Sequence, residues 1–200
     1  MLLAGTLAFG GLATQQSLAG APTQSACAPK GRGAVAADRY GQLWVQGADQ
    51  TEMWGCLYGH RPHDLYRFVG GSGWAFTSPL VSGQVAAFEA ALSDSDGPNY
   101  DIVVVVNLAT GRQIKRVADG DGPGGDGIGQ LESMVLKPDG AVAWIAPTGY
   151  MNSVNQVYVD DAAGYRMLAS GTSIAGGSLA LAGSTIYWLQ GGVAQSARLQ

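Results

Sequence analysis

Charged side chains are scarce in this chain of 200 residues. Only 13% of its residues are Asp, Glu, Lys or Arg, against about 25% in an average soluble protein. Lysine occurs three times, and the formal net charge is −4. Binding to nucleic acid depends on clustered Lys and Arg side chains that neutralise phosphates. The composition therefore excludes a basic nucleic-acid-binding protein.

Long apolar runs are also lacking from most of the chain. A membrane-spanning helix needs about 20 predominantly apolar residues in succession. No stretch after residue 26 approaches that length. We therefore expect no integral membrane segment in the mature protein.

Charge is absent altogether from the first 26 residues. Residues 1–13 are mostly apolar, and the small residues Ala19-Gly20-Ala21 follow. An apolar segment before a small-residue site is typical of a secretory signal peptide, although the usual basic residue at its start is missing. We expect a signal peptide or disordered leader over 1–26, a single domain over 27–200, and a secreted or extracytoplasmic protein.

Cysteine occurs only twice, as Cys27 and Cys56. In an oxidising compartment, an even number of cysteines predicts disulfide pairing. Lipid attachment at Cys27 is the alternative, but Gln24 stands where a lipoprotein signal has leucine. The pattern therefore favours a Cys27–Cys56 disulfide, which would tie the start of the mature chain to its first strands.

Glycine is abundant, with 31 residues, and short apolar runs recur every 8 to 12 residues between Gly, Asp, Asn, Pro and Ser clusters. This spacing is typical of an all-β protein. The predicted strands form four units over 34–69, 73–118, 131–169 and 178–199, with four strands in each of the first three and three in the last. A period near 45 residues predicts a β-propeller-like array of antiparallel sheets, and a β-sandwich is the alternative.

Two hairpins sharpen this prediction. Leu136–Trp144 contains a Pro-Asp-Gly turn between two apolar runs, and Val105–Arg112 reads Val-Val-Asn-Leu-Ala-Thr-Gly-Arg. Both segments resemble hairpins of TolB-like and other WD40-like β-propeller repeats of exported bacterial proteins. The resemblance covers at most Ala34–Gln200. It implies a propeller architecture but no particular activity, because propellers serve many functions.

Tryptophans occur at matching places in two of the units. Trp144 and Trp188 both lie in the second strand, after a turn. Repetition at one place in a repeat indicates packing between neighbouring units. We therefore expect both indole rings in the core.

One acidic, glycine-rich segment, 119–127, is a candidate calcium site through Asp119, Asp121 and Asp126. Calcium prefers carboxylate and carbonyl oxygens on a flexible backbone. The twelfth position of an EF-hand loop is Gln130 here, where a bidentate glutamate is needed. The pattern favours a solvated connector, and no cofactor other than this calcium candidate is predicted.

No motif for a catalytic nucleophile, a phosphate-binding loop or a dinucleotide-binding loop is present. His60 and His63 lack the further ligands that zinc requires, and we assign no catalytic residue. The favoured interpretation is an exported, non-enzymatic binding or scaffold protein with a protein or glycan partner at the cell envelope. The alternative is a glycan-acting hydrolase or lyase using acids such as Asp38, Asp64 and Glu89, although an outward-facing strand position explains Glu89 more simply.

The oligomeric state is open at this point. The last unit has only three predicted strands, over 178–199. A sheet with an unpaired edge can bind another strand. A dimer that completes this unit is therefore one of the alternatives.

Overall fold

The computed structural model describes residues 27–47, 49–68, 74–92, 100–119, 131–148 and 154–200. These residues form fifteen β-strands and one short 3-10 helix, Gly176–Ser178. No helix among them has the length and apolarity that crossing a bilayer requires.

The strands build four separate antiparallel sheets, in which strand order follows chain order. Sheet 1 contains β1 (Ala36–Ala37), β2 (Gly41–Gln46), β3 (Glu52–Leu57) and β4 (His63–Arg67). Sheet 2 contains β5 (Trp74–Ser82), β6 (Val85–Leu92), β7 (Tyr100–Asn107) and β8 (Gln113–Asp119). Sheet 3 contains β9 (Ser133–Leu136), β10 (Val142–Thr148), β11 (Val154–Asp161) and β12 (Gly164–Gly171). Sheet 4 contains β13 (Ala180–Ala182), β14 (Thr185–Gln190) and β15 (Val193–Arg198).

The sheets follow one another as the blades of a propeller do. The first strands of successive sheets are neighbours, with β1 beside β5, β5 beside β9, and β9 beside β13. The predicted all-β, propeller-like array is therefore confirmed, including the three-stranded last unit.

The turn between β9 and β10 shows how the sequence produces these hairpins. Gly140 has φ = +90°, which favours glycine, and its N–H donates to the Lys137 carbonyl over 3.0 Å. The Asp139 carboxylate accepts a hydrogen bond from the Ala141 N–H, also at 3.0 Å. The Pro-Asp-Gly sequence thus reverses the chain within a few residues.

Three apolar interfaces hold the sheets together, one between each pair of neighbours. Sheets 1 and 2 share a cluster that includes Leu43, Met53, Phe88 and Val104. Sheets 2 and 3 share one that includes Ala87, Val105, Trp144 and Tyr158. Sheets 3 and 4 share one that includes Ile145, Val157, Ile186 and Trp188. Sheets 2 and 3 are therefore apolar on both faces, because each lies between two others.

The second strand of every sheet carries an aromatic residue near its middle, as the fourth residue of β2, β6 and β14 and the third of β10. The four residues are Trp44, Phe88, Trp144 and Trp188. We call the face that carries this residue the front face of its sheet, and the opposite face the rear face. In sheets 2, 3 and 4 the front face packs on the rear face of the preceding sheet. The expected burial of Trp144 and Trp188 is confirmed, with exposed fractions of 0% and 6%.

The front face of sheet 1 carries the disulfide. Cys27 is bonded to Cys56, with the two Cα atoms 6.3 Å apart, and Cys56 is fully buried. Trp44 and Trp54 stack on the same face with ring centroids 6.5 Å apart. The covalent link therefore holds the segment that begins at Cys27 against the first sheet.

Removal of this disulfide should destabilise the protein. For the double variant Cys27→Ala/Cys56→Ala we expect a loss of about 3 kcal/mol in the free energy of unfolding, because a closed loop of this length restricts the unfolded chain. Urea unfolding with and without a thiol reductant measures the loss. Reductant should lower the midpoint of the wild type and leave that of the variant unchanged. Equal midpoints without reductant would contradict the prediction.

Candidate functional site

A cleft of about 910 Å³ opens where three turns from three sheets meet. These are the turns that lead into β2, β6 and β10, and they come together because the first strands of sheets 1, 2 and 3 are neighbours. Asn107 at the end of β7 and Ile114 on β8 complete the wall. We call this feature the turn-end cleft.

Asp38 connects two of the three turns. One carboxylate oxygen accepts hydrogen bonds from the N–H groups of Tyr40 and Gly41, at 2.7 and 3.0 Å. The other accepts from the N–H of Gly83 in the next sheet, at 2.9 Å. The carboxylate therefore shapes its own turn and holds that turn against its neighbour.

Arg39 and Tyr40 lie side by side in the first turn, and both are exposed. The guanidinium carbon of Arg39 lies 4.6 Å from the centre of the Tyr40 ring, a cation–π arrangement. Tyr40 is 46% exposed, and so is Ile114. The cleft thus offers a positive charge, an aromatic ring and apolar surface to a ligand.

Asp139, in the third turn, forms a 2.8 Å ion pair with Lys137. Partial burial disfavours its charged form, but hydrogen bonds from Lys137 and from the Ala141 N–H outweigh this effect and hold the pKa of Asp139 below its usual range. The Lys137 ammonium also donates to the Leu199 carbonyl at 3.2 Å, which fastens sheet 3 to sheet 4. The third turn is therefore rigidly held.

The chemistry of the cleft suits binding better than proton transfer. Both of its carboxylates, Asp38 and Asp139, are engaged by backbone N–H groups. An acid that acts as a proton donor or acceptor must reach the substrate. Asp139 is exposed, but its charge is paired with Lys137. The exposed groups Arg39, Tyr40 and Ile114 add contact surface without an acid.

A second polar cluster lies between sheets 2 and 3. Glu89 on β6 is fully buried. One of its carboxylate oxygens accepts a 2.9 Å hydrogen bond from the Leu131 N–H, and the other accepts one from the Thr77 hydroxyl. The expectation that Glu89 faces outward was wrong. Its strand lies in a sheet that is covered on both faces, so neither side of β6 is a solvent face.

Burial changes the acidity of this cluster. It raises the pKa of Glu89 to about 7, an effect that the Leu131 N–H opposes and the charge of Asp101 reinforces. Burial also raises the pKa of Asp101, which is 5% exposed, to about 6. Both carboxyls therefore hold a proton up to a higher pH than an exposed acid does.

The three acids considered for a glycan-acting enzyme each have a different partner. Asp38 accepts hydrogen bonds from backbone N–H groups of two turns. Asp64 forms a 2.8 Å ion pair with Arg67 on β4. Glu89 accepts hydrogen bonds from the Leu131 N–H and the Thr77 hydroxyl. Sequence reasoning did not select Arg39 or Tyr40, because a turn residue shows its role only when the turns are brought together.

The histidines have separate environments. His60 is exposed in the turn after β3. The Nε2 atom of His63 lies 3.2 Å from the Ala109 carbonyl oxygen, and a side chain at Gly111 would clash with the His63 ring. His63 therefore packs against the turn between β7 and β8.

The calcium candidate stays a prediction. Asp119 is the last residue of β8, in register with Asp101, whereas Asp121 and Asp126 lie outside the described residues. In the part of the chain that the structure describes, no group of three or more His, Cys, Asp or Glu side chains is placed to hold a metal ion.

Comparisons with known proteins concern the architecture. No family model matches the chain, and no curated protein matches it. Among solved structures it is similar to the β-propeller domain of the Trilobed protease from Pyrococcus furiosus, described as having an open velcro topology, with 14% identity and a TM-score of 0.43 over 58% of this chain and 34% of that one. It is equally similar to the acylaminoacyl peptidase of Pyrococcus horikoshii, with 14% identity and a TM-score of 0.43 over 58% of this chain and 17% of that one. This chain thus spans about a third and about a sixth of these two proteins, and the propeller-like fold rests on its own four sheets.

Proposed function

We propose that this protein is an exported, non-enzymatic, TolB-like binding protein whose turn-end cleft binds a protein or glycan at the cell envelope. The turn-end cleft is the observation that carries the proposal. Turns from three sheets form it, and Asp38 and Lys137 hold them in place. Rigid sheets that present exposed loop residues are a common basis for binding sites.

The disulfide and the composition of residues 1–26 support an extracytoplasmic location. Disulfides persist in oxidising compartments and are rare in the cytosol. Cys27 and Cys56 form one here, and the uncharged residues 1–26 have the composition expected of a signal peptide.

The exposed groups indicate what the ligand presents to the cleft. The face of Tyr40 suits an apolar or sugar ring, and the adjacent Arg39 suits a carboxylate or hydroxyl group. Both side chains project from one short turn, so a single ligand residue can contact them together. Val85, Ile114 and Pro138 add apolar contact.

Retention of an envelope component on the immobilised, oxidised protein tests the proposal. Envelope polysaccharide and secreted proteins are applied separately, and the dissociation constant of the retained component is measured. We expect Tyr40→Ala and Arg39→Ala each to raise it at least tenfold, because aromatic and arginine side chains dominate binding energies.

Tyr187→Ala is the matched control. Tyr187 is 42% exposed, similar to Tyr40, but lies on the rear face of sheet 4. Binding that survives both cleft substitutions, or that Tyr187→Ala weakens equally, would exclude the cleft as the binding site.

A further inference from the structure

Among the described residues, no strand pairs with the outer edge of β15, where each of the other three sheets has a fourth strand. The hairpin between β14 and β15 turns through Gly191 and Gly192, both with positive φ, and pairs Gln190 with Val193. In such a two-residue hairpin, the pair that flanks the turn exchanges hydrogen bonds, and every second pair after it does so as well. The Leu199 N–H, which donates to the Ser184 carbonyl at 2.8 Å, fits this alternation.

This alternation of hydrogen-bonded pairs determines which backbone groups of β15 face outward. The N–H and C=O groups of Ala194, Ser196 and Arg198 point away from β14. Within the described residues, none of these three N–H groups has a hydrogen-bond partner. The edge therefore presents three donors and three acceptors in a row.

The outer strands of the other three sheets carry features that discourage edge pairing. The register shifts between the third and fourth strands of each sheet, at Met53/Trp54, Val105/Val106 and Val157/Tyr158. Charged residues also lie on each fourth strand, namely Asp64 and Arg67 on β4, Lys115 and Arg116 on β8, and Arg166 on β12. Bulges and charges are the usual protection of an exposed sheet edge.

Strand β15 has neither protection. Its register with β14 runs without a shift from Thr185↔Arg198 to Gln190↔Val193. Its one charged residue, Arg198, is the last of the strand, and Ala194, Ser196 and Ala197 are small. An edge with an unbroken register and almost no charge is a template for another strand.

We propose that β15 is a docking edge for a second copy of this chain, with the two β15 strands antiparallel about a twofold axis at Ser196. This register places Ser196 opposite Ser196, and Ala194 opposite Arg198. All three outward-facing residues of each copy then enter hydrogen-bonded pairs, and the two Arg198 side chains stay apart. The two copies of sheet 4 become one six-stranded sheet.

The rear face of sheet 4 is compatible with this arrangement. Tyr187 and Leu189 are each 42% exposed on the rear face of sheet 4. A twofold axis perpendicular to the sheet places the rear faces of both copies on the same side. The pairing thus extends the surface that Tyr187 and Leu189 form, and Arg198 is the one charged group among the described residues of that face.

Sedimentation velocity of the oxidised full chain over a range of concentrations tests the proposal. We expect the mass to rise from that of a monomer to that of a dimer. In Ser196→Pro the dimer dissociation constant should rise at least tenfold, because proline removes the outward N–H from both copies while the bonds to β14 remain. Ser196→Ala keeps that N–H and should dimerise as the wild type does.

Circular dichroism and thermal melting of both variants establish that each remains folded. If Ser196→Pro loses its fold, Arg198→Pro tests the neighbouring outward N–H in the same way. A wild type that remains monomeric at every concentration, or a folded proline variant that dimerises as the wild type does, would overturn the proposal. The proposal would also be overturned if the sedimenting mass of the wild type rose only through association with a different polypeptide.

Discussion

Replacement of Trp144 by alanine should lower the free energy of unfolding by about 4 kcal/mol, as is typical when a large aromatic side chain is removed from a core. Trp144 is fully buried in the cluster between sheets 2 and 3. Its ring stacks on Tyr158 and Tyr165 at centroid distances of 5.6 and 5.9 Å. The substitution therefore opens a cavity and also removes two ring contacts. Urea unfolding followed by circular dichroism measures the loss.

Trp144→Phe is the matched variant. The indole Nε1 of Trp144 is buried without a hydrogen-bond partner among the described residues, so phenylalanine removes a polar group that gains nothing from the fold. We expect this variant to lose clearly less stability than Trp144→Ala, because phenylalanine keeps an aromatic ring in the core and leaves a smaller cavity. Equal losses for Phe and Ala would show that the size of the ring is not what stabilises the interface.

The stability of the wild type should fall as the pH rises from about 4.5 to about 7, because of Glu89. Burial raises the pKa of its carboxyl from 4.5 to about 7. In this window the folded protein keeps a proton that the unfolded chain releases, so a higher pH favours unfolding. A shift of this size corresponds to about 3 kcal/mol. Urea unfolding at pH 4.5, 6 and 8 measures the slope.

Glu89→Gln should remove most of this slope. The amide has a similar shape and carries no charge, so at pH 8 we expect the variant to be more stable than the wild type, and at pH 4.5 about equally stable. Asp101→Asn should remove a smaller part, between pH 3.8 and about 6. Asp161, whose pKa the Arg166 hydrogen bond lowers to about 2, acts only below this window. A wild-type stability that is constant from pH 5 to 8 would contradict the assignment.

The order of the sheets was readable from the sequence because the relevant signals are local. Glycines such as Gly83 and Gly183 adopt positive φ at the turns between strands, and the Pro138-Asp139-Gly140 turn works within its own hairpin. The recurring aromatic residue in the second strand marks the unit. Turn residues and the alternation of apolar and polar residues along a strand depend on a few neighbouring positions, so they can be recognised before the whole fold is known.

The environment of Glu89 was not readable in the same way. One charged residue in an apolar strand resembles a solvent-facing position when a single sheet is considered. Both faces of β6 are apolar, as the run of alanines around Phe88 indicates, and two-sided burial follows from the sheets that pack on either side. The turn-end cleft could not be predicted from the sequence for a related reason, since Tyr40 and Pro138 are about a hundred positions apart in the chain.

The sequential order of the strands has a consequence for folding. Each strand pairs with its neighbour in the chain, so a sheet needs only short loop closures. Closing a short loop costs less chain entropy than closing a long one. Each sheet can therefore form once its own strands are available, and its apolar face then becomes a surface on which the next sheet packs. Of the four described sheets, sheet 4 would form last, and none of the other three covers its rear face.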